Sequence, residues 1–314
     1  MTSTVGAAVR RRPLARRRPS RGVAGARRRS VAGFIAPFAA LFALFYLLPI
    51  GYALYRSFFV TEREGPFAAP QEVFGGLENY TRALGDAEFI RSVGRVLLFG
   101  VVQVPVMLLL ALVFALLLDS GTARLKRFFR LTYFAPYAVP TVIGALMWGF
   151  LYAPSLSPVV DALRGVGIDI AFFSSGTVLW SIANIVTWTY TGYNMLILYA
   201  ALQAVPGELY EAARIDGARG WDIAWRIKIP LIRPALILTA VFSIIGTLQL
   251  FSEPQVLRSL TTSITSTYTP NLVAFTAASA NNYSYAAALS FLLAVVTGVL
   301  SFAFLKFTQR RAAL

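Results

Sequence analysis

Six stretches of this 314-residue chain are long and apolar enough to cross a bilayer as helices: residues 33–55, 94–118, 132–153, 177–203, 234–256 and 285–307. A hydrocarbon core needs about 20 predominantly apolar residues in a helix, against about 10 in a barrel strand. Lipid gives the backbone no hydrogen-bond partners, so runs of this length leave the helix as the spanning solution. None of the six carries Lys or Arg well inside it; Arg56 and Arg95 lie at span ends, where they are expected to reach headgroups. Pro136 and Pro140 interrupt the third run, which neighbouring helices can tolerate in a bundle. The expected fold is therefore an all-α integral membrane protein. Six transmembrane helices would occupy residues 31–314 as one domain, behind a disordered basic tail over residues 1–30.

An even number of crossings puts both termini on one side, and the cations say which. Of the 29 Lys and Arg, 22 fall in the N-terminal tail, the loops at 119–130 and 204–233, and the C-terminal tail. Seven remain for the other side: Arg56, Arg63, Arg82, Arg91, Arg95, Arg164 and Arg258. Positive charge stays in the cytoplasm, so both termini are expected there. The stretch RRRPLARRRPSRGVAGARRRS also has the composition of a nucleic-acid arm. A disordered topogenic flank meeting anionic lipid is the favoured reading and agrees with the spans, so no nucleic-acid partner is expected. A twin-arginine export signal needs a shorter apolar run than the one after Arg29.

Catalytic equipment is sparse. Only 14% of residues are charged, 57% are hydrophobic, and Cys and His are both absent. That removes thiol nucleophiles, imidazole bases and zinc sites built on those ligands. No G-x-x-x-x-G-K-[ST] phosphate loop and no G-x-G-x-x-G after a strand-like run occurs. An enzyme within the membrane would want paired acids, and an ion-coupled carrier would want titratable groups at mid-depth. Glu253 is the one acid near a span, and no internal repeat is visible.

Outside the spans, FGGLENYTRALGDAEF within 57–93 contains turn formers and one expected short helix around 86–93. Residues 257–284 read as a polar outer segment, rich in Ser, Thr and Asn.

The cytoplasmic stretch 206–234, PGELYEAARIDGARGWDIAWRIKIPLIRP, stands out from its apolar flanks. Pro206, Glu208 and Glu211 suit the first turn of a helix. Ala212, Ala213 and Ala218 make a smooth face that another surface can approach. Gly217 costs about 1 kcal/mol inside a helix, so a bend is expected there. A second amphipathic segment carries Ile223, Trp225, Ile227 and Ile229 up to Pro230 and Pro234. On these grounds alone, the pair of segments could equally lie in the membrane interface, Trp and Ile in lipid and Arg outward.

Glu211-Ala212-Ala213, Asp216-Gly217-Ala218 and Ile229-Pro230-Leu231, in this spacing, resemble the EAA motif of ABC importer permeases. The usual Leu before the proline is Ile229 here. APFAALFALFYLLPIGYALYRSFF, GLENYTRAL and RLTYFAPYAVPTVIGALMWGFLY look like the carbohydrate-uptake permeases of the maltose, multiple-sugar and glycerol-3-phosphate type. The GLENY and YLLPIGYALYRSFF elements favour the first of the two unlike permeases; residues 1–30 lie outside the resemblance. The resemblance implies a type I permease fold in a bacterial inner or plasma membrane, and a subunit that performs no chemistry. It implies a second permease subunit in a heterodimer, two ATPase subunits that bind ATP and Mg, and an extracytoplasmic sugar-binding protein. No cofactor is implied in this chain. Glu211, Ala212, Ala213, Asp216 and Gly217 would form the coupling helix that docks on an ATPase.

Two spans flank this loop. On span four, Asn184, Thr187, Trp188, Thr191 and Asn194 share one helical arc, with Tyr190 at its edge. Amides, hydroxyls and aromatic rings together suit a sugar, whereas Ser, Thr and Asn alone serve equally as glue between helices. For Thr187 and Thr191 both readings stand. The resemblance adds Tyr190, Tyr193 and Asn194 to the sugar path. Tyr193 lies nearly opposite Thr187, so the two can share a cavity only if the helix is distorted near Gly192. On span five, Thr239, Ser243, Gly246, Thr247 and Glu253 share a face bordered by Gln249. The resemblance places Ser243, Thr247 and Gln249 near the path, while Glu253 is expected to meet water at the outer mouth. A phosphate-bearing solute such as glycerol phosphate would want Arg or Lys in the spans. None is there, so a neutral di- or oligosaccharide is the expected cargo.

Overall fold

A computed structural model describes residues 21–62, 71–120 and 125–310, and the chain divides into two compact units, Met1–Ala53 and Leu54–Leu314. The first unit holds α1 (Arg21–Phe42), a π-helical turn (Ala43–Leu47) and most of α2 (Leu48–Arg56), a continuous apolar span from Val31. Phe38, Phe42 and Tyr46 stack along it at 6.0 and 5.4 Å. The disorder expected over 1–30 lies outside the described residues for 1–20. From Arg21 onward the basic stretch is helical, in keeping with the helix propensity of its Arg and Ala.

In the second unit a hairpin comes first, β1 (Phe59–Glu62) against β2 (Gln71–Phe74), antiparallel with Phe59 opposite Phe74. The GLENY element explains itself here. Asn79 is buried, and its amide donates to the carbonyls of Ser57 (3.0 Å) and Phe59 (2.7 Å). The Tyr80 hydroxyl lies 2.6 Å from Ser57 Oγ. These bonds fix the hairpin onto α3 (Glu78–Gly85). Asp86 caps α4 (Ala87–Asp119) by accepting from the Glu88 and Phe89 amides. The separate helix expected near 86–93 is thus the first turns of one 33-residue helix.

The third expected span is not one helix. α5 (Lys126–Ala138) and α6 (Thr141–Tyr152) meet at 95°. The ring of Pro140 forces the preceding Val139 into an extended conformation (φ −77°, ψ 127°), and the helix cannot continue through it. A short α7 (Pro158–Gly165) leads to α8 (Val178–Gln203). Among the described residues four helices are long and apolar enough to cross a membrane, or five if the bent α5–α6 pair is one span. α8, the remaining expected span, is about 39 Å long at 1.5 Å per residue but too polar to stand with them. Half of its 26 residues are buried against protein, which removes the need for an apolar surface.

Beyond α8 lie α9 (Glu208–Ile215), α10 (Gly220–Ile223), a π-helical turn (Ala224–Lys228) and α11 (Ile229–Leu231). Span five is broken into α12 (Arg233–Leu248) and α13 (Ser252–Leu257). The expected polar loop at 257–284 contains α14 (Pro270–Ser279), started by Thr269 accepting from the Leu272 amide at 3.3 Å and by Pro270 in the first turn. α15 (Tyr283–Arg310) closes the described chain.

Packing centres on α8. Ala111 and Ala115 of α4 are fully buried against Met195, Leu198 and Leu202 of α8 and Ile232 before α12. Small residues let the backbones close up, as lipid supplies no hydrophobic drive between helices. Arg95 and Arg56 do not reach for headgroups. Arg95 donates to the Tyr268 carbonyl at 2.6 Å and covers the Tyr268 ring at 4.4 Å, and Arg56 pairs with Glu72. Burial pushes the Tyr268 phenol above its ordinary pKa, with the Arg95 cation opposing.

Candidate functional site

The charged loop ends its first helix by a specific device. Gly217 has φ +84°, a conformation that costs other residues about 1–2 kcal/mol. Its N–H donates to the Arg214 carbonyl at 3.0 Å and that of Ala218 to the Ala213 carbonyl at 2.9 Å. This pair of bonds is the Schellman ending, which satisfies the last carbonyls of α9. The expected bend is therefore a full stop and a new start. Arg219 is extended, and its N–H donates to the Asp222 carboxylate at 3.3 Å at the head of α10. Glu211, Ala212, Asp216 and Gly217 are exposed and Ala213 half-buried, with Ile215 standing 87% exposed beside them. Trp221 and Trp225 stack at 5.9 Å on the following segment, both exposed. The loop thus projects a small-residue face with acid and apolar tips.

Its root is tied down. Lys228 pairs with Asp119, the last residue of α4, and Asp119 also accepts from Gln203 Nε2 at 2.6 Å. The Lys228 ammonium sits 4.8 Å from the centre of the Tyr210 ring. Burial, then the Asp119 charge, raises the pKa of the Tyr210 phenol.

A cavity of about 210 Å³ lies between α8, the break in span five and the elements around them. Tyr190, Tyr193, Asn194, Ser243, Thr247 and Gln249 all line it. Asn184 and Trp188 do not. Asn184 donates to the Tyr152 hydroxyl at 2.8 Å, and Trp188 packs edge-on to Trp148 at 5.8 Å. The arc expected from sequence is about a third of a turn off the cavity face and shares only Asn194 and its edge residue Tyr190 with it. Val186, Tyr190, Tyr193 and Asn194 form the cavity face at ordinary helical spacing, and α8 runs unbroken through Gly192. Thr187 faces α4 instead, and Thr191 donates to its own helix at the Thr187 carbonyl (2.6 Å). Both are glue. The ring of Tyr137 stacks on Tyr193 at 4.7 Å and meets Tyr190 edge-on at 5.8 Å, bracing the cavity face.

Glu253 was expected in water at the outer mouth; it is 5% exposed and lines the cavity. The cause is the break at residues 249–251, where Phe251 (φ −143°, ψ −55°) turns the chain and α13 restarts. Irregular backbone at membrane depth is tolerated where it borders a cavity. Thr141 and Ser252 complete the polar lining, Met107 adds a thioether, and no Lys or Arg is among the lining residues. Gln103 of α4 is the residue that sequence reading missed. It is buried, donates to Thr187 Oγ1 and accepts from Thr247 Oγ1, each at 3.3 Å. A lone amide inside a 33-residue apolar helix was the available signal.

The chain is 33% identical to the lactose transport system permease protein LacF of Rhizobium radiobacter over 279 residues, 86% of this chain and 90% of that one. It is 30% identical to the diacetylchitobiose uptake system permease protein NgcF of Streptomyces coelicolor, over 87% of this chain and 79% of the relative. The sn-glycerol-3-phosphate transport system permease protein UgpA of Agrobacterium fabrum shares 33% identity over 68% of this chain and 73% of its own length. A crystal structure of a bacterial ABC transporter involved in alginate import superposes with a TM-score of 0.76 at 18% identity, covering 92% of this chain and 98% of that one, which shows the fold. The family model for binding-protein-dependent transport system inner membrane components matches residues 107–313, and the chain is a transport permease of that family rather than an enzyme.

Proposed function

We propose that this permease forms half of the translocation path of an ABC importer for a neutral di- or oligosaccharide. The observation that carries the reading is the cavity lining: phenol rings at Tyr190 and Tyr193, hydroxyls and amides at Ser243, Thr247, Asn194 and Gln249, one buried carboxylate, and no cation. Sugars need flat apolar surfaces for their ring faces and mixed donors and acceptors for their hydroxyls. On this chain's side of the path a phosphate or uronate would meet Glu253 with no Lys or Arg in the lining to hold it. The names of LacF and NgcF agree with a sugar, that of UgpA with a phosphate ester.

The other half of the path comes from a second, unlike permease. Two ATPase subunits bind ATP and Mg, and an extracytoplasmic binding protein delivers the solute. Glu211, Ala212, Ala213, Asp216 and Gly217 dock on one ATPase, in support of which all but the half-buried Ala213 are exposed, on α9 and the turn that ends it, in a loop rooted on two long helices. Residues 31–314 make up the permease domain, the basic tail precedes it, and both termini lie in the cytoplasm.

The test is ATP hydrolysis and uptake by the complete importer in proteoliposomes. Lactose, maltose, diacetylchitobiose, sn-glycerol-3-phosphate and alginate oligosaccharide are each supplied with the binding protein. Stimulation by a neutral sugar is expected. Stimulation by glycerol phosphate or alginate alone would overturn the neutral-sugar reading.

A further inference from the structure

We propose that α4 is the lever that carries movement of the cytoplasmic loop to the cavity, with Asp119 as the positioning residue that holds the loop to it. The inference rests on the coupling role given above to residues 206–233. Asp119 ends α4, and its side chain is only 7% exposed. One carboxylate oxygen pairs with Lys228 and the other accepts from Gln203 Nε2 at 2.6 Å, on the last residue of α8. Lys228 in turn lies over the ring of Tyr210, the residue before Glu211. A single carboxylate therefore joins both arms of the loop to the ends of two long helices. A buried pair of this kind is costly to break, because either partner alone would be left as an uncompensated charge.

At the midpoint of α4 stands Gln103, sixteen residues and about 24 Å along the helix from Asp119. Its amide bridges Thr187 of α8 and Thr247 of α12, and Thr247 lines the cavity. One turn later Met107 also lines the cavity and lies 3.7 Å from Asn194 Nδ2. A displacement of Lys228 is thus delivered through Asp119 and the α4 rod to the amide that joins the two cavity-forming helices.

The chain has no cysteine, so a Ser243→Cys variant provides a single thiol reporter in the cavity wall. In the complete importer, labelling by a membrane-impermeant maleimide is compared without nucleotide and after trapping with ATP and vanadate. In the S243C background a change of several-fold is expected. Asp119→Asn and Lys228→Met should each reduce that change at least fivefold while the ATPase still co-purifies and traps nucleotide. The exchanged pair D119K with K228D should recover at least half. Should D119N fail to assemble, Asp119→Glu decides, with assembly kept and the change reduced about threefold. A full labelling change in D119N or D119E, or an exchanged pair as inert as the single variants, overturns the lever. Failure of the coupling reading is distinct, since the labelling change would then be missing from S243C with Asp119 intact.

Discussion

The backbone carbonyl oxygen of Tyr133 on α5 lies 1.8 Å from the point where a Cβ on Gly192 of α8 would sit, and Phe134 Cα is 3.0 Å from it. No side chain fits between the two helices there. This crossing sets the depth of α5 against α8, and with it the stacking of Tyr137 on Tyr193 that braces the cavity face.

Gly192→Ala is accordingly expected to force the helices apart. The obstacle is backbone rather than a movable side chain, so the cost lies at the upper end for overpacking, about 3 kcal/mol. Thermal unfolding of the purified importer should show a lower midpoint for G192A, and transport should fall with it. Unchanged stability would mean that α5 does not press on α8 in the membrane.

Glu253→Gln tests the cavity chemistry. A carboxylate accepting from a solute hydroxyl contributes about 1–1.5 kcal/mol more than the neutral amide oxygen that replaces it, which corresponds to roughly 5–10-fold in affinity. Uptake of the cognate sugar should fall about fivefold or more at low concentration. Hydrolysis of ATP without solute should stay within twofold, because Glu253 is remote from the loop in sequence and faces the cavity. Uptake at the wild-type level would place Glu253 outside the path.

Gln103→Leu removes an amide from between Thr187 and Thr247. The buried Thr247 hydroxyl then loses its partner, at a cost of about 1–3 kcal/mol. The expected readout is a lower unfolding midpoint together with altered sugar affinity, since Thr247 lines the cavity. A stability loss without any change in affinity would separate the amide from the site.

The sequence made some of this architecture legible and hid the rest for definite reasons. Apolar runs mark where helices touch lipid, so the lipid-facing helices could be placed from length alone, while α8, counted as a span on its length and apolar content, is too polar to stand with them and is half covered by protein. Periodicity gives relative angles and no absolute facing. The polar arc through Asn184 and Trp188 therefore pointed to Tyr152 and Trp148, while Tyr190 and Tyr193 turned to the cavity. The inward turn of Glu253 depends on a break at residues 249–251, for which Pro254 in the first turn of α13 is the local signal. Long-range ties such as Asp119 to Lys228, 109 residues apart, leave no local pattern at all. Motif spacing did better, because the loop's ending at Gly217 is written into a few adjacent residues.

That ending supplies the last prediction. Gly217→Ala must hold a Cβ at φ +84°, with open space around it, so the strain is purely conformational and costs about 1–2 kcal/mol. Gly217→Pro cannot adopt the angle at all, since its ring fixes φ near −65°, and it also removes the N–H that caps Arg214. G217A is expected to keep a reduced but measurable uptake, and G217P to lose it entirely. Both should insert in the membrane at wild-type levels, because the change lies outside every span. The decisive comparison is ATP-driven uptake normalised to inserted protein. If G217P transports normally, α9 need not end where it does, and the loop's shape is irrelevant to coupling.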